Sequence, residues 1–174
     1  MKNSAHIAIC YIIVLVLSAT SGAIGKDLFW WSSEYQNLIG FAAKQKGNTA
    51  TCSYRAGDDA HSVIKISIVV EKTGTILMKL EGAGENIVDA DENAGTYEQR
   101  SGRAAFYFRD INKDGMPDEV KDESNPDPAD RLRYYQLSEY EDPEGLLVLW
   151  NIGIGYSINK LLHGIDSALP RKKR

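Results

Sequence analysis

The stretch Phe106 to Val120, FYFRDINKDGMPDEV, constrains this chain more tightly than any other. Counted from Asp110, oxygen-bearing side chains stand at loop positions 1, 3, 5 and 9: Asp110, Asn112, Asp114 and Asp118. Gly115 takes position 6, and the carbonyl of Met116 falls at position 7. A hard cation such as Ca2+ takes six to eight oxygens at about 2.3–2.6 Å, and glycine at position 6 permits the turn that wraps them round it. The spacing predicts a calcium loop at 110–118 with Asp110, Asn112, Asp114, Met116 and Asp118 as ligands. Three carboxylates this close repel one another without a cation, and Lys113 offsets only part of that charge. The plain alternative is an acidic surface turn, because Asp, Asn and Gly are ordinary turn residues.

The flanks say what kind of loop this is. Ala104 to Phe108 reads as a strand entering it, rich in aromatic residues. Pro117 fixes the backbone inside the loop and removes a donor, so no helix interior begins there. The bidentate acid that an EF-hand places at position 12 is replaced by Lys121. Water or one of Glu119, Asp122, Glu123 and Asp127 must then complete the shell. Such a site is expected to be weak, with Kd on the order of 10⁻⁵–10⁻³ M.

On these residues the loop resembles the D-x-[DN]-x-D-G-x-x-D loops of integrin-type FG-GAP repeats and of thrombospondin type 3 and dockerin-like repeats. The likeness implies a calcium loop held between two strands. It covers roughly ten residues in a single copy, so it implies no propeller.

Residues 1–25 read as a secretory signal peptide. Lys2 gives a short positive end, Ile7 to Ala19 is apolar, and the small residues of SATSGAIG follow. Cleavage after Ala23 or after Gly25 fits equally. The apolar run is short for a span of about 20 residues, so no stable membrane span is expected after cleavage. The protein is therefore expected to be secreted or periplasmic.

Removing 25 of the 174 residues leaves 149, enough for one domain, 26–174, with a core of its own. The formal charge of −4 becomes −5 when Lys2 leaves, and an acidic surface gives no reason to bind nucleic acid. Cys10 leaves with the signal, so Cys52 has no intrachain partner.

Phe29, Trp30 and Trp31 are expected to staple a helix running from Ser33 to about Lys46, with Ser33 and Gln36 as a capping box and Gly47 as its stop. Tyr35, Leu38, Ile39 and Ala42 recur at helical spacing. A short strand at Thr51 to Arg55 follows. Ile64, Ile66, Ile68 and Val70 alternate with Lys65, Ser67, Val69 and Glu71, and Lys72-Thr73-Gly74 turns the chain into Thr75 to Glu81. Gly82 to Gly102 reads as a mobile acidic surface loop. Arg131 to Tyr140 and Leu146 to Ile152 read as strands joined by EDPEG. Tyr156, Ile158, Leu161 and Leu162 suggest a short helix ending at Gly164. The fold class is α+β: an antiparallel sheet of five to seven strands with an N-terminal and a short C-terminal helix.

Catalytic signatures are absent: no G-x-S-x-G elbow, H-E-x-x-H pair or P-loop occurs. Cys52 with His61 lacks an orienting third group, and a carboxylate pair for hydrolysis requires a distance that sequence does not give. Two function classes follow, with a hydrolase as the minority third. One is an exported, non-enzymatic binding or structural module that uses Ca2+. The other is an envelope inhibitor or immunity-type protein that occludes a partner enzyme. Either has another exported or envelope protein as its partner.

Overall fold

The helical spacing of Tyr35, Leu38 and Ala42 and the alternation of Ile64, Ile66 and Ile68 point all six side chains into one interior, each 5 % exposed or less. A computed structural model describes residues 31–55, 63–91, 96–123, 125 and 127–167, with only the backbone course for 55, 83–91 and 96–104. The N-terminal 30 residues, with the expected signal segment, Phe29 and Trp30, lie outside it, as do His61 and the basic tail.

Six antiparallel strands lie in sequence order: β1 (Thr49–Arg55), β2 (Val63–Val70), β3 (Ile76–Asp91), β4 (Thr96–Asp110), β5 (Glu119–Asp122) and β6 (Tyr135–Gln136). Helix α1 (Tyr35–Ala43) and helix α2 (Pro143–Ser157) pack on one face. This is the α+β sheet with terminal helices that the sequence predicts. Between sheet and helices, Ile66, Ile68, Met78, Leu80, Phe106 and Phe108 meet Leu38, Leu149, Trp150 and Ile154, all 1 % exposed or less. Each buried aliphatic side chain contributes about 1.5–3 kcal/mol.

The β2–β3 hairpin forms as expected, with Gly74 at φ +87° in its turn. Helix α1 starts differently. Residues Ser32–Glu34 form a 3-10 turn with no side-chain cap, and Gln36 reaches Lys113 O at 3.4 Å instead of pairing with Ser33. The helix ends at Ala43, and Gly47 (φ +69°) sits in a separate 3-10 turn, Lys46–Asn48.

Three other expectations are corrected. Gly82 to Gly102 is a paired ribbon, not a loop: β3 and β4 stay in register from Ile76↔Asp110 to Asp91↔Thr96, with a bulge between Ile87 and Asp89. β2 pairs only as far as Ala83 and β5 only as far as Phe106, so the outer ribbon extends past both neighbours. Its sequence has no alternation to betray it. Arg131 to Tyr140 yields only the two-residue β6, set between 3-10 turns at Asp130–Leu132 and Leu137–Glu139.

Leu146 to Ile152 is helical. Asp142 accepts a hydrogen bond from Gly145 N at 2.8 Å and Pro143 opens the first turn, so EDPEG is a helix start rather than a reversal. The helix is covered on most sides, which erases the amphipathic period and leaves a run that mimics a central strand. A π-helical turn, Ile158–Leu162, prolongs α2 to Gly164 (φ +67°), as expected for its end but not for its length. Pro143–Leu162 is long and apolar enough to cross a bilayer, yet here it is the core helix.

Candidate metal centre

Strand β4 ends and the loop begins at one residue. Asp110 is 0 % exposed and lies on the helix-facing side of the sheet, in line with Phe106 and Phe108. Its carboxylate takes three hydrogen bonds: Tyr35 OH at 2.7 Å and Gly115 N at 3.0 Å on Oδ2, and Lys113 N at 2.7 Å on Oδ1. All three donors are neutral. Burial pushes the Asp110 carboxyl above its usual range; the three hydrogen bonds pull it back, and Asp114 pushes it further up. Burial and the same carboxylate hold the Tyr35 hydroxyl protonated.

The remaining oxygens follow from tight local turns. Asn112 Oδ1 accepts from Asp114 N and Asp114 Oδ1 from Met116 N, both at 2.8 Å. Asp118 Oδ2 accepts from Ile111 N at 2.6 Å, and Asp118 N donates to Arg109 O at 2.8 Å, which closes the neck. Gly115 at φ +95° and Lys113 at φ +63° make the bend. The ring of Trp31 lies 3.5 Å from where a Gly115 Cβ would stand, and Trp150 Nε1 donates to Gly115 O at 2.8 Å.

The five sequence-derived ligand residues thus share one loop with different settings. Asp110 is sealed in the core, Asn112 and Asp114 are exposed, and Met116 and Asp118 are half-buried. The Asn112 amide nitrogen lies 3.1 Å from Asp114 Oδ2 and 3.5 Å from Asp118 Oδ1, so those oxygens converge on one point. Among the described residues, however, no three His, Cys, Asp or Glu side chains are gathered closely enough to hold a metal ion. The donor set suits a hard cation; its present aim is that of a hydrogen-bonded turn.

The flanking acids are engaged elsewhere or distant. Glu119 pairs with Arg109 at 3.0 Å, Glu123 with Lys121 at 2.9 Å, and Asp127 accepts from Ala129 N at 2.8 Å. Asp122 sits opposite Phe106, four residues along β4 from Asp110 and so about 13 Å away. Lys121, at position 12, lies on the face of β5 turned away from the helices, 4.0 Å from the centre of the Tyr107 ring.

Sequence reasoning missed Tyr35 and Trp150 as partners of this loop. Both read as apolar spacing residues, and nothing local in the sequence signals a contact across 75 or 35 positions.

Cys52 is buried, 3.7 Å from Ser157 Oγ, and burial pushes its thiol up to about 11. A protonated, sealed thiol is a poor nucleophile. Comparison with protein-family models, curated proteins and solved structures finds no match to this chain.

Proposed function

We infer that this is an exported, non-enzymatic binding or structural module whose 110–118 loop takes up Ca2+. One observation carries the metal: Asp110 is a fully buried carboxylate whose hydrogen-bond partners are all neutral, in a loop with two further acids. A buried charge without a counter-charge is costly, and a cation in the loop removes that cost. Asp110, Asn112, Asp114 and Asp118 would hold the ion with the Met116 carbonyl, in the manner of the FG-GAP-like and dockerin-like loops. For this the Asn112 side chain has to turn, bringing its oxygen where its nitrogen now stands.

Calorimetric titration of the mature protein with Ca2+, and melts in calcium and in chelator, test the proposal. Metal bound only by the folded state adds RT ln(1 + [L]/Kd), about 2.7 kcal/mol at 100-fold excess over Kd. For a domain of this size that is roughly 5–10 °C in midpoint. No heat and no shift would reduce the loop to an acidic turn.

A second reading, an inhibitor or immunity-type protein that occludes an exported enzyme, draws on the outer β3–β4 ribbon. Among the described residues no further strand pairs with the outer part of this ribbon, and a two-stranded ribbon is marginal alone and suited to insertion or strand addition. A partner retained in chelator but lost on shortening the ribbon favours this reading; one lost in chelator favours the first.

A further inference from the structure

We propose that Tyr35 and Trp150 are positioning residues for the loop, so that cation uptake at 110–118 is transmitted to the seating of both helices. The inference rests on the calcium reading and deepens it. What carries it is not the cluster of acids but two buried hydrogen bonds that cross from the helical layer into the loop. Tyr35, the first residue of α1, donates to Asp110 at loop position 1. Trp150, in the middle of α2, donates to the carbonyl of Gly115 at position 6. Both aromatic residues are at most 2 % exposed, as is Asp110, so no water competes for these bonds.

The two bonds fix complementary things. Tyr35 and Gly115 share one oxygen of Asp110, which restrains the carboxylate plane and leaves the group little freedom to rotate. Trp150 anchors the peptide on which the turn pivots, at Gly115, whose φ of +95° glycine adopts without strain. The Tyr35 ring stands 6.3 Å from the Trp150 ring and 5.5 Å from the Trp31 ring, so the anchors touch one another as well as the loop. Packing this close transmits a displacement of one ring to its neighbours. A ligand whose orientation is preset loses less freedom on capturing an ion than one that must be ordered first.

Two measurements on the mature protein test this, with Ca2+ alone as the probe. The first is calcium affinity by calorimetry in wild type and Tyr35→Phe. The ring is kept and one buried hydrogen bond is lost, so Kd is expected to rise about fivefold. The second is the indole N–H resonance of Trp150 in wild type. It is expected to move on calcium addition with a midpoint equal to the calorimetric Kd, a response that a merely structural tryptophan would not give.

Calcium heat in wild type with a Tyr35→Phe Kd within about twofold of it overturns the inference while leaving the calcium reading intact. So does a Trp150 resonance unmoved at saturation, which also decides the matter if Tyr35→Phe fails to fold. Absence of calcium heat in wild type removes both.

Discussion

Gly153 of α2 passes so close to Met78 of β3 that a methyl group on its Cα would stand 2.6 Å from the thioether sulfur. Leu80 closes the same space at 3.3 Å. Gly153→Ala should therefore destabilise by about 1–3 kcal/mol through overpacking, although alanine is the better helix former by about 1 kcal/mol. Chemical denaturation of Gly153→Ala, Met78→Ala and the double variant checks it. The double variant should be markedly more stable than the two single losses imply; strict additivity would mean that the two residues do not press on each other.

Cys52 is the next test of the core. Its thiol is raised to about 11 and sealed, so alkylation by iodoacetamide at neutral pH should be slow in the native state and fast in denaturant. Cys52→Ser should keep the thermal midpoint within a few degrees, because Ser157 Oγ offers the new hydroxyl a partner. Rapid labelling of the native protein would show the pocket to be open.

In the loop, Asp110→Ala and Asp114→Ala should each abolish the calcium-dependent rise in midpoint, and Asp114→Asn should only weaken it. Lys121→Glu separates this protein from an EF-hand. An acid at position 12 cannot turn inward, because the side chain there lies on the face away from the helices, beside Tyr107 and Glu123. The variant should gain no calcium affinity and should lose some stability from repulsion with Glu123. Tighter calcium binding in Lys121→Glu would show that β5 rearranges.

Two carboxyls should give the stability opposite slopes against pH. Burial holds Asp110 above its unfolded value, so in chelator its contribution is fully present below the unfolded value and is lost as pH rises through the folded one. Asp166 is held below its usual range by Tyr156 and then by Lys160, so its contribution is present above the unfolded value and is lost as pH falls through the folded one. Asp166 is largely exposed, which makes its share small. Melts of wild type, Asp110→Asn and Asp166→Asn across the acid range should show the first slope vanish in Asp110→Asn alone. Calcium should reverse that slope in wild type, since the ion requires the ionised group.

What could be read in the sequence follows from where each segment is half-covered. β2 and β3 turn one face wholly to the core, and Lys65, Lys79 and Glu81 on the other face keep their alternation legible. α2 is covered almost all round, and its Leu and Trp residues carry neither the 3.6 nor the 2.0 period clearly; only Asp142 and Pro143 marked its start. The loop's spacing was legible because a turn with Gly115 at positive φ is a local matter. Its anchoring was not. Tyr35 and Trp150 reach it through the tertiary fold, and a tyrosine that spaces a helix looks the same whether or not its hydroxyl has a buried acid to meet.

The long β3–β4 seam divides the molecule in a way that can be exploited. A chain opened between Asp91 and Thr96 would leave α1 with β1–β3 on one fragment, and β4–β6 with the loop and α2 on the other. Neither half has a core of its own, since α2 packs across β1, β2 and β3 and Tyr35 reaches Asp110 across the break. Mixed together, the two pieces should recover the helical and sheet signals of the intact protein, while each alone stays unfolded. Folding of either piece by itself would show that the sheet assembles from independent halves. Successful reassembly would make the protein a split reporter, with the Tyr35–Asp110 bond and the 110–118 turn rebuilt only when the two fragments are brought together.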